Sequence, residues 1–333
     1  MRLHHQLAQV LAALQRAEIP VIALKGAHLA EGIYGDVALR PMSDIDLLVK
    51  RPDLSRAEDA LRGIGYTPHR PFWVEAESDV HQHLPRFTKP NAVSVEVHWT
   101  LLRPTDPFDV DVDGLWARAR PATIAGVQAL TLSPEDLLLH QCLHMAFGHR
   151  FRVGLRPLCD VAEILAHCRE EIAWEQTVDR ARQWNAGRCV YLVLRIAREW
   201  LLADMPDEAL QALEPDDLDP RFVLWAKEEL LSARDSMPSL HADFAQMWGT
   251  RRFRDKVSLF AKHAFPSPKA LSRAYPVPPS SMRIYFYYLV HLKDLLSRYA
   301  KTVWGLLRRD RQLATVAKRK ERGNLLRDWL ASC

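Results

Sequence analysis

Long hydrophobic runs are missing from this 333-residue sequence. The longest apolar stretch near the C-terminus, Ile284 to Val290, falls far short of the roughly 20 residues that cross a bilayer. The start, Met1-Arg2-Leu3-His4-His5, leads into an amphipathic helix and not into the apolar core of a secretory signal. The expectation is a cytoplasmic protein with no membrane span. Cysteine is scarce as well: Cys142, Cys159, Cys168, Cys189 and Cys333 are odd in number and none forms a CxxC pair. A disulfide framework is thereby excluded and a zinc site argued against, so the thiols are read as buried or incidental in a reducing compartment. Internal repeats and low-complexity segments are absent, which excludes a solenoid. Excess charge of one sign is absent too, with 45 Lys/Arg against 41 Asp/Glu. The balance is uneven along the chain, because residues 301–333 hold nine Lys/Arg and three Asp/Glu. Such a tail suits an anionic partner and equally suits a solvated helix face.

What is present is ordinary for a globular protein: 48% hydrophobic and 26% charged residues, with length enough for two domains. Leu3, Leu7, Val10, Leu11 and Leu14 recur at helical spacing over residues 3–17. Val21 to Leu24 is a short apolar run bounded by Pro20 and by Lys25-Gly26, and reads as a buried strand. Ala27 to Tyr34 returns to helix, Ile45 to Val49 to strand, and Asp53 to Ile64 to helix. Asp53 is placed to cap that helix and Gly65 to stop it. His83 to Thr88 and Ala92 to Trp99 flank Lys89-Pro90-Asn91 as a hairpin. Residues 1–130 therefore predict an α+β domain, a small mixed sheet with helices. After Ser133-Pro134, a capping hydroxyl followed by a first-turn proline, residues 131–333 read as all-α. Breaks fall near 148–154, 187, 205–206 and 215–220, and a proline-rich stretch, 266–279, precedes a last helical segment, 281–330. The aromatic run Tyr285-Phe286-Tyr287-Tyr288 is read as helix packing, with an amphipathic membrane contact as the lesser alternative.

One constellation carries chemistry. Asp44 and Asp46 stand two apart in a strand and so project from one face. Neither carboxylate is cheaply buried beside the other without a counter-charge. A divalent cation supplies one, since hard cations take carboxylate oxygens. Glu96 alternates with Val95 and Val97 and so lies on the polar face of its own strand. If that strand neighbours the Asp44–Asp46 strand, three acids converge, enough for a two-metal site clamping an in-line phosphoryl displacement. Asp-x-Asp alone is a weak signal. Joined to the preceding Lys25-Gly26 turn and the later Glu96-Val97-His98-Trp99, it outweighs the reading as a solvated edge.

These segments resemble the polymerase-β-like nucleotidyltransferases, which carry a glycine turn, Asp-x-Asp on the next strand and a third acid on a later one. The likeness is closest to the bacterial "uncharacterised nucleotidyltransferase" family, through Leu24-Lys25-Gly26, Tyr34-Gly35, Arg40 to Val49 and Glu96-Val97-His98-Trp99. It covers residues 19–100 clearly and the histidine-bearing helix near 140–150 loosely. One departure is the turn itself, where Ala27 follows Gly26 and Lys25 precedes it. The resemblance implies transfer of an NMP group from an NTP such as ATP to an acceptor, releasing pyrophosphate, with Mg²⁺ (or Mn²⁺) in a two-metal site. Asp44 and Asp46 would be metal ligands, and Glu96 would complete the site or accept the nucleophile's proton. Lys25, Gly26, Arg40 and Ser43 would meet the phosphates.

Other residues stay open at this level. His98 shares Glu96's face and reads equally as a site residue or a satisfied buried histidine. His140, His144 and His149 share a helix face without known zinc spacing, so a structural role is favoured over ligation. One of the three, His144 for instance, with Arg150, Arg152 or Arg156, could reach over the cleft to substrate or nucleotide, with Asp160 orienting the histidine. The division into a catalytic domain, 1–130, and an acceptor-site or interaction domain, 131–333, follows. The acceptor is a small molecule, peptide or protein. Nucleic acid is permitted by the basic tail but not favoured, because no RNA-binding motif accompanies it. The competing readings are a non-catalytic nucleotide-binding module and an RNA-end nucleotidyltransferase.

Overall fold

A stripe of leucines and valine sets the first layer. Helix α1 (Arg2–Arg16) turns Leu7, Val10, Leu11 and Leu14 to one side, where all four are buried. They meet Ala57 and Leu61 of α3 (Leu54–Gly63) and, beneath both, Ile45, Leu47, Val95 and Val97 of the sheet. The computed structural model describes residues 2–69, 81–232, 268, 271, 281–294 and 311–332.

The sheet is mixed and has seven strands in the order β3-β4-β5-β2-β1-β7-β6. These are β1 (Ile22–Ala23), β2 (Asp44–Leu48), β3 (Thr67–Pro68), β4 (Phe87–Thr88), β5 (Ser94–His98), β6 (Arg120–Ile124) and β7 (Val127–Thr131). β1 runs antiparallel to β2 and parallel to β7. β2 and β5 pair in parallel with Asp46 opposite Glu96 and Leu48 opposite His98. Side chains alternate across a strand, so burying Ile45, Leu47, Val95 and Val97 against α1 and α3 forces Asp44, Asp46, Glu96 and His98 to the other face. The hairpin around Lys89-Pro90-Asn91 forms as the sequence predicts, with β4 antiparallel to β5. A second hairpin, β6–β7, turns on Ala125 and Gly126, both left-handed at φ +51° and +76°. Two positive φ values are what a tight two-residue turn requires.

Asp53 does not cap α3. A 3₁₀ turn, Arg51–Asp53, precedes the helix and already holds Asp53 in a helical conformation. Its carboxylate accepts from Arg56 at 2.7 Å instead. Gly65, at φ +88°, does close the helix, its N–H donating to the Arg62 carbonyl.

Among the described residues beyond the sheet the chain is helical: α4 (Val112–Arg118) lies between β5 and β6, then α5 (Pro134–Leu143), α6 (Arg156–His167), α7 (Trp174–Gln183), α8 (Gly187–Leu201), α9 (Asp207–Leu213) and α10 (Pro220–Leu231) follow. α5 is the hub, with all ten residues buried and α6, α7 and α8 packed around it. Ser133 caps it, the hydroxyl accepting from the Asp136 N–H at 3.3 Å. At its end the backbone widens into a π-helical turn, His144–Gly148.

The chain divides into two compact units, Met1–Ala233 with Arg327–Cys333, and Arg234–Leu326. In the first, Trp329 stacks on Phe222 at 4.7 Å. In the second, Ile284 and Leu271 are buried, with Tyr287 and Tyr288 packed against them. Tyr285 and Phe286, read from the sequence as packing residues, are exposed, because one helix face cannot cover four consecutive rings. Apart from 268 and 271, the proline-rich stretch lies outside the described residues.

Candidate active site

The turn between β1 and α2 (Lys25–Gly32) is the first part of the site. The Leu24 N–H donates to the Asp46 carbonyl at 3.0 Å, which ties the turn to β2. Lys25 follows in the left-handed region, φ +46°, where a residue with a Cβ is strained by about 1 kcal/mol. That conformation sends the ammonium to Asp46, Nζ to Oδ1 at 3.0 Å. Gly26 is needed for a separate reason. A Cβ there would come within 2.8 Å of Met42 Cγ and 3.5 Å of an Arg40 guanidinium nitrogen. The glycine lets the 40–42 segment close over the turn.

Asp46 is the centre. It is buried, and its Oδ1 takes both Lys25 and His98 Nε2, each at 3.0 Å. A carboxylate only accepts, so His98 presents Nε2–H. Burial alone pushes the Asp46 pKa up, but the Lys25 charge and the His98 hydrogen bond outweigh it and hold the carboxyl far below the usual range. Asp44 moves the other way. Burial and then the charge of Asp46 raise it, against a hydrogen bond from Ser43 Oγ at 3.0 Å. Glu96 is held down at about 2, burial being overcome by His98 and Arg86 despite repulsion from Asp46.

Asp46, Glu96 and His98 each offer a ligand atom, all within 4.8 Å of one another, and no other such group occurs among the described residues. The carboxylates fit a divalent cation: Asp46 and Glu96 are held ionised, Asp44 lies on the same face, and His98, its Nε2–H given to Asp46, braces them.

Two neighbours carried no sequence signal beyond the hairpin. Arg86 donates to Glu96 through Nε at 2.9 Å and through a second nitrogen. The His83 ring meets His98 edge-on at 5.1 Å, and its Nδ1 donates to the Leu84 carbonyl. The hairpin reading put both on the strand beside Glu96, but alternation could not tell a partner of Glu96 from a solvated cation.

From the opposite side α5 contributes histidines. His140 is buried with Nδ1 unpartnered, and burial, reinforced by the charges of Lys25 and His98, lowers its pKa to about 3. His144 is depressed for the same first two reasons, burial and Lys25. Its ring contacts His149 at 4.4 Å. His140 of α5 and His144 of the π-helical turn thus lie within electrostatic reach of the cluster. Arg150, at φ +51°, feels burial and the charges of Arg327, Arg152, Asp328 and Arg103, none of them a site carboxylate.

Arg40 is committed elsewhere than to an open phosphate position. Its Nε and Nη2 donate to the two oxygens of buried Asp160 at 2.7 and 2.8 Å, and Tyr34 donates to the same carboxylate at 3.0 Å. Asp160 therefore orients an arginine and a tyrosine, not a histidine, because Arg40 reaches it first from the loop before β2. Arg40→Ala is expected to lower thermal stability by about 3 kcal/mol, the loss attached to breaking a buried pair. The KM for nucleotide should change less than about twofold, since no reacting group is moved. Unfolding and steady-state assays check it, and an unchanged melting point with a tenfold rise in KM would instead make Arg40 a phosphate contact.

Residues 1–202 match the family model described as "Uncharacterised nucleotidyltransferase". No curated protein matches the chain. The solution structure of the antibiotic-resistance factor ANT(2″)-Ia is similar over 60% of this chain and 99% of that one, at 15% identity and a TM-score of 0.40.

Proposed function

This chain belongs to the uncharacterised nucleotidyltransferase family and is a nucleotidyltransferase, and on that premise we propose that it moves an NMP group from an NTP to an acceptor in a reaction that needs a divalent metal. The supporting observation is the register of β2 on β5, which sets Asp46 beside Glu96 and within reach of His98 on the face away from the core. In the reaction the acceptor's nucleophilic atom bonds to the α-phosphorus, the bond to the bridging oxygen of the β-phosphate breaks, and pyrophosphate leaves with those electrons.

Asp44, Asp46 and Glu96 would hold Mg²⁺, or Mn²⁺, and a bound cation pair would supply charge stabilisation to the attacking and leaving oxygens. The protein's own groups do the rest. His98 orients Asp46 through Nε2–H, and Arg86 fixes the Glu96 carboxylate. Lys25 and Gly26 open α2 and meet phosphate with an ammonium and with backbone N–H groups. Ser43 stands beside Asp44 at the same edge. The helices that follow the sheet, α5 to α10, build the acceptor side, with His144 and Arg150 as substrate contacts. A small molecule, peptide or protein is favoured as acceptor over an RNA end. The location is cytoplasmic, and among the described residues no helix is long and apolar enough to cross a membrane.

Calorimetric titration with a panel of NTPs, with and without Mg²⁺, tests this on the wild type and on the Asp44→Ala/Asp46→Ala variant. One NTP should bind only with metal, and binding should be lost in the variant. Binding that persists without metal and in the variant would overturn the proposal.

A further inference from the structure

Outside the site, the most unusual surface among the described residues lies on the helical segment 284–294 and the turn before it. Met282, Tyr285, Phe286 and Leu289 are 81%, 64%, 64% and 66% exposed. Their spacing, i, i+3, i+4 and i+7, puts them on a single stripe of a helix. The other exposed large apolar residues are single or paired along the sequence, which is normal for a soluble surface. The opposite side of the same helix is satisfied, with Ile284 buried and Tyr287 and Tyr288 packed on it. Ring contacts of Tyr285 and Phe286 run to these neighbours along the helix, 6.5 Å to Tyr288 and 6.0 Å to Tyr287. The outward stripe is a second hydrophobic face on an element that already has its core face.

We propose that this stripe docks the protein on an anionic lipid surface, lying in the plane of the headgroups. Charge selects this occupant. Arg283 and Lys293 are exposed beside the stripe, and the sequence of the same unit from 281 to 326 holds eleven Lys/Arg against three Asp/Glu. Aromatic and aliphatic side chains with flanking cations are what an interfacial helix presents, and each basic residue near the surface adds attraction to anionic headgroups. A second copy of the chain is the poorer fit, because a two-fold contact would bring Arg283 and Lys293 of one copy against the same cations of the other. A nucleic acid would meet the cations but leave the stripe in water.

The full chain is tested by co-sedimentation with vesicles of phosphatidylcholine alone and with vesicles that also contain phosphatidylglycerol. Binding is expected to the second kind only, and to weaken as salt is raised. Replacing Tyr285, Phe286 and Leu289 together by serine should reduce the bound fraction by about tenfold or more, as the apolar area lost implies. These positions are exposed, so circular dichroism and nucleotide binding by the variant should match the wild type. No sedimentation with either vesicle overturns the proposal. So does wild-type-like binding by the serine variant, which would leave the basic residues as the whole attraction. A wild-type dimer that the serine variant converts to monomer, without vesicle binding, also overturns it and makes a second copy the occupant.

Discussion

Asp46→Asn is expected to reduce metal-dependent NTP turnover by about 10²–10³-fold or more, the loss typical of removing one preorganised charged group from a reacting centre. Pyrophosphate release measures it. The substitution keeps the shape of the side chain and an oxygen for Lys25 and His98, but removes the charge that both groups and a cation share. It also costs stability, about 3 kcal/mol, because the Lys25 ammonium is left near a neutral amide in a largely buried position. The sign of the pH effect is fixed by the direction of the shift. The folded carboxyl lies far below its ordinary 3.8, so its stabilisation is complete at neutral pH. It fades as the pH falls below about 4, where the unfolded carboxyl takes a proton first. The gap in melting temperature between wild type and Asp46→Asn should therefore be constant near neutrality and narrow in acid. A variant with wild-type turnover would remove Asp46 from the reaction.

The second large effect is on stability. Asp136 is fully buried in the first turn of α5 and receives Arg118 at 2.9 and 3.3 Å and Arg180 at 2.8 Å. Its carboxylate joins α4, α5 and α7. Asp136→Ala strands the Arg180 guanidinium, whose side chain is only 10% exposed. The expected cost is about 3–5 kcal/mol, which lowers the melting temperature by roughly 10 °C in a unit of this size. Arg118→Ala should cost less, because Arg118 is the more exposed partner and Asp136 keeps Arg180. A loss of less than about 1 kcal/mol with Asp136→Ala would show that the network contributes no more than a surface pair.

Local pattern was enough for much of this. Alternation in 44–49 and 94–98 named both strands and the face of each acid, and only the neighbour relation of β2 and β5 had to be supplied by the fold. Long-range commitments were not legible. Arg40 meets Asp160 across 120 residues, and Lys25 meets Asp46 across 21, so neither partner appears in any window of sequence. Asp53 misled because a proline-containing 3₁₀ turn, not an extended residue, precedes α3. The β6–β7 hairpin is not legible in the sequence beyond the Ala125-Gly126 turn, since β6 is mostly polar and exposed and lacks a strong hydrophobic signal.

The parallel pairing of β2 with β5 bears on how the molecule comes to be active. Antiparallel neighbours can zip from a turn, but parallel strands meet only after the intervening chain has doubled back. Asp46 and Glu96 are 50 positions apart, and a pairing of such separation must meet its loop-closure entropy before contacts reward it. The two carboxylates repel until Lys25 and Arg86 are in place. The unfolded chain therefore has no preformed seat for a cation. A divalent ion drawn to these acids would act on the native state alone, raising stability with the logarithm of its concentration once that exceeds the dissociation constant.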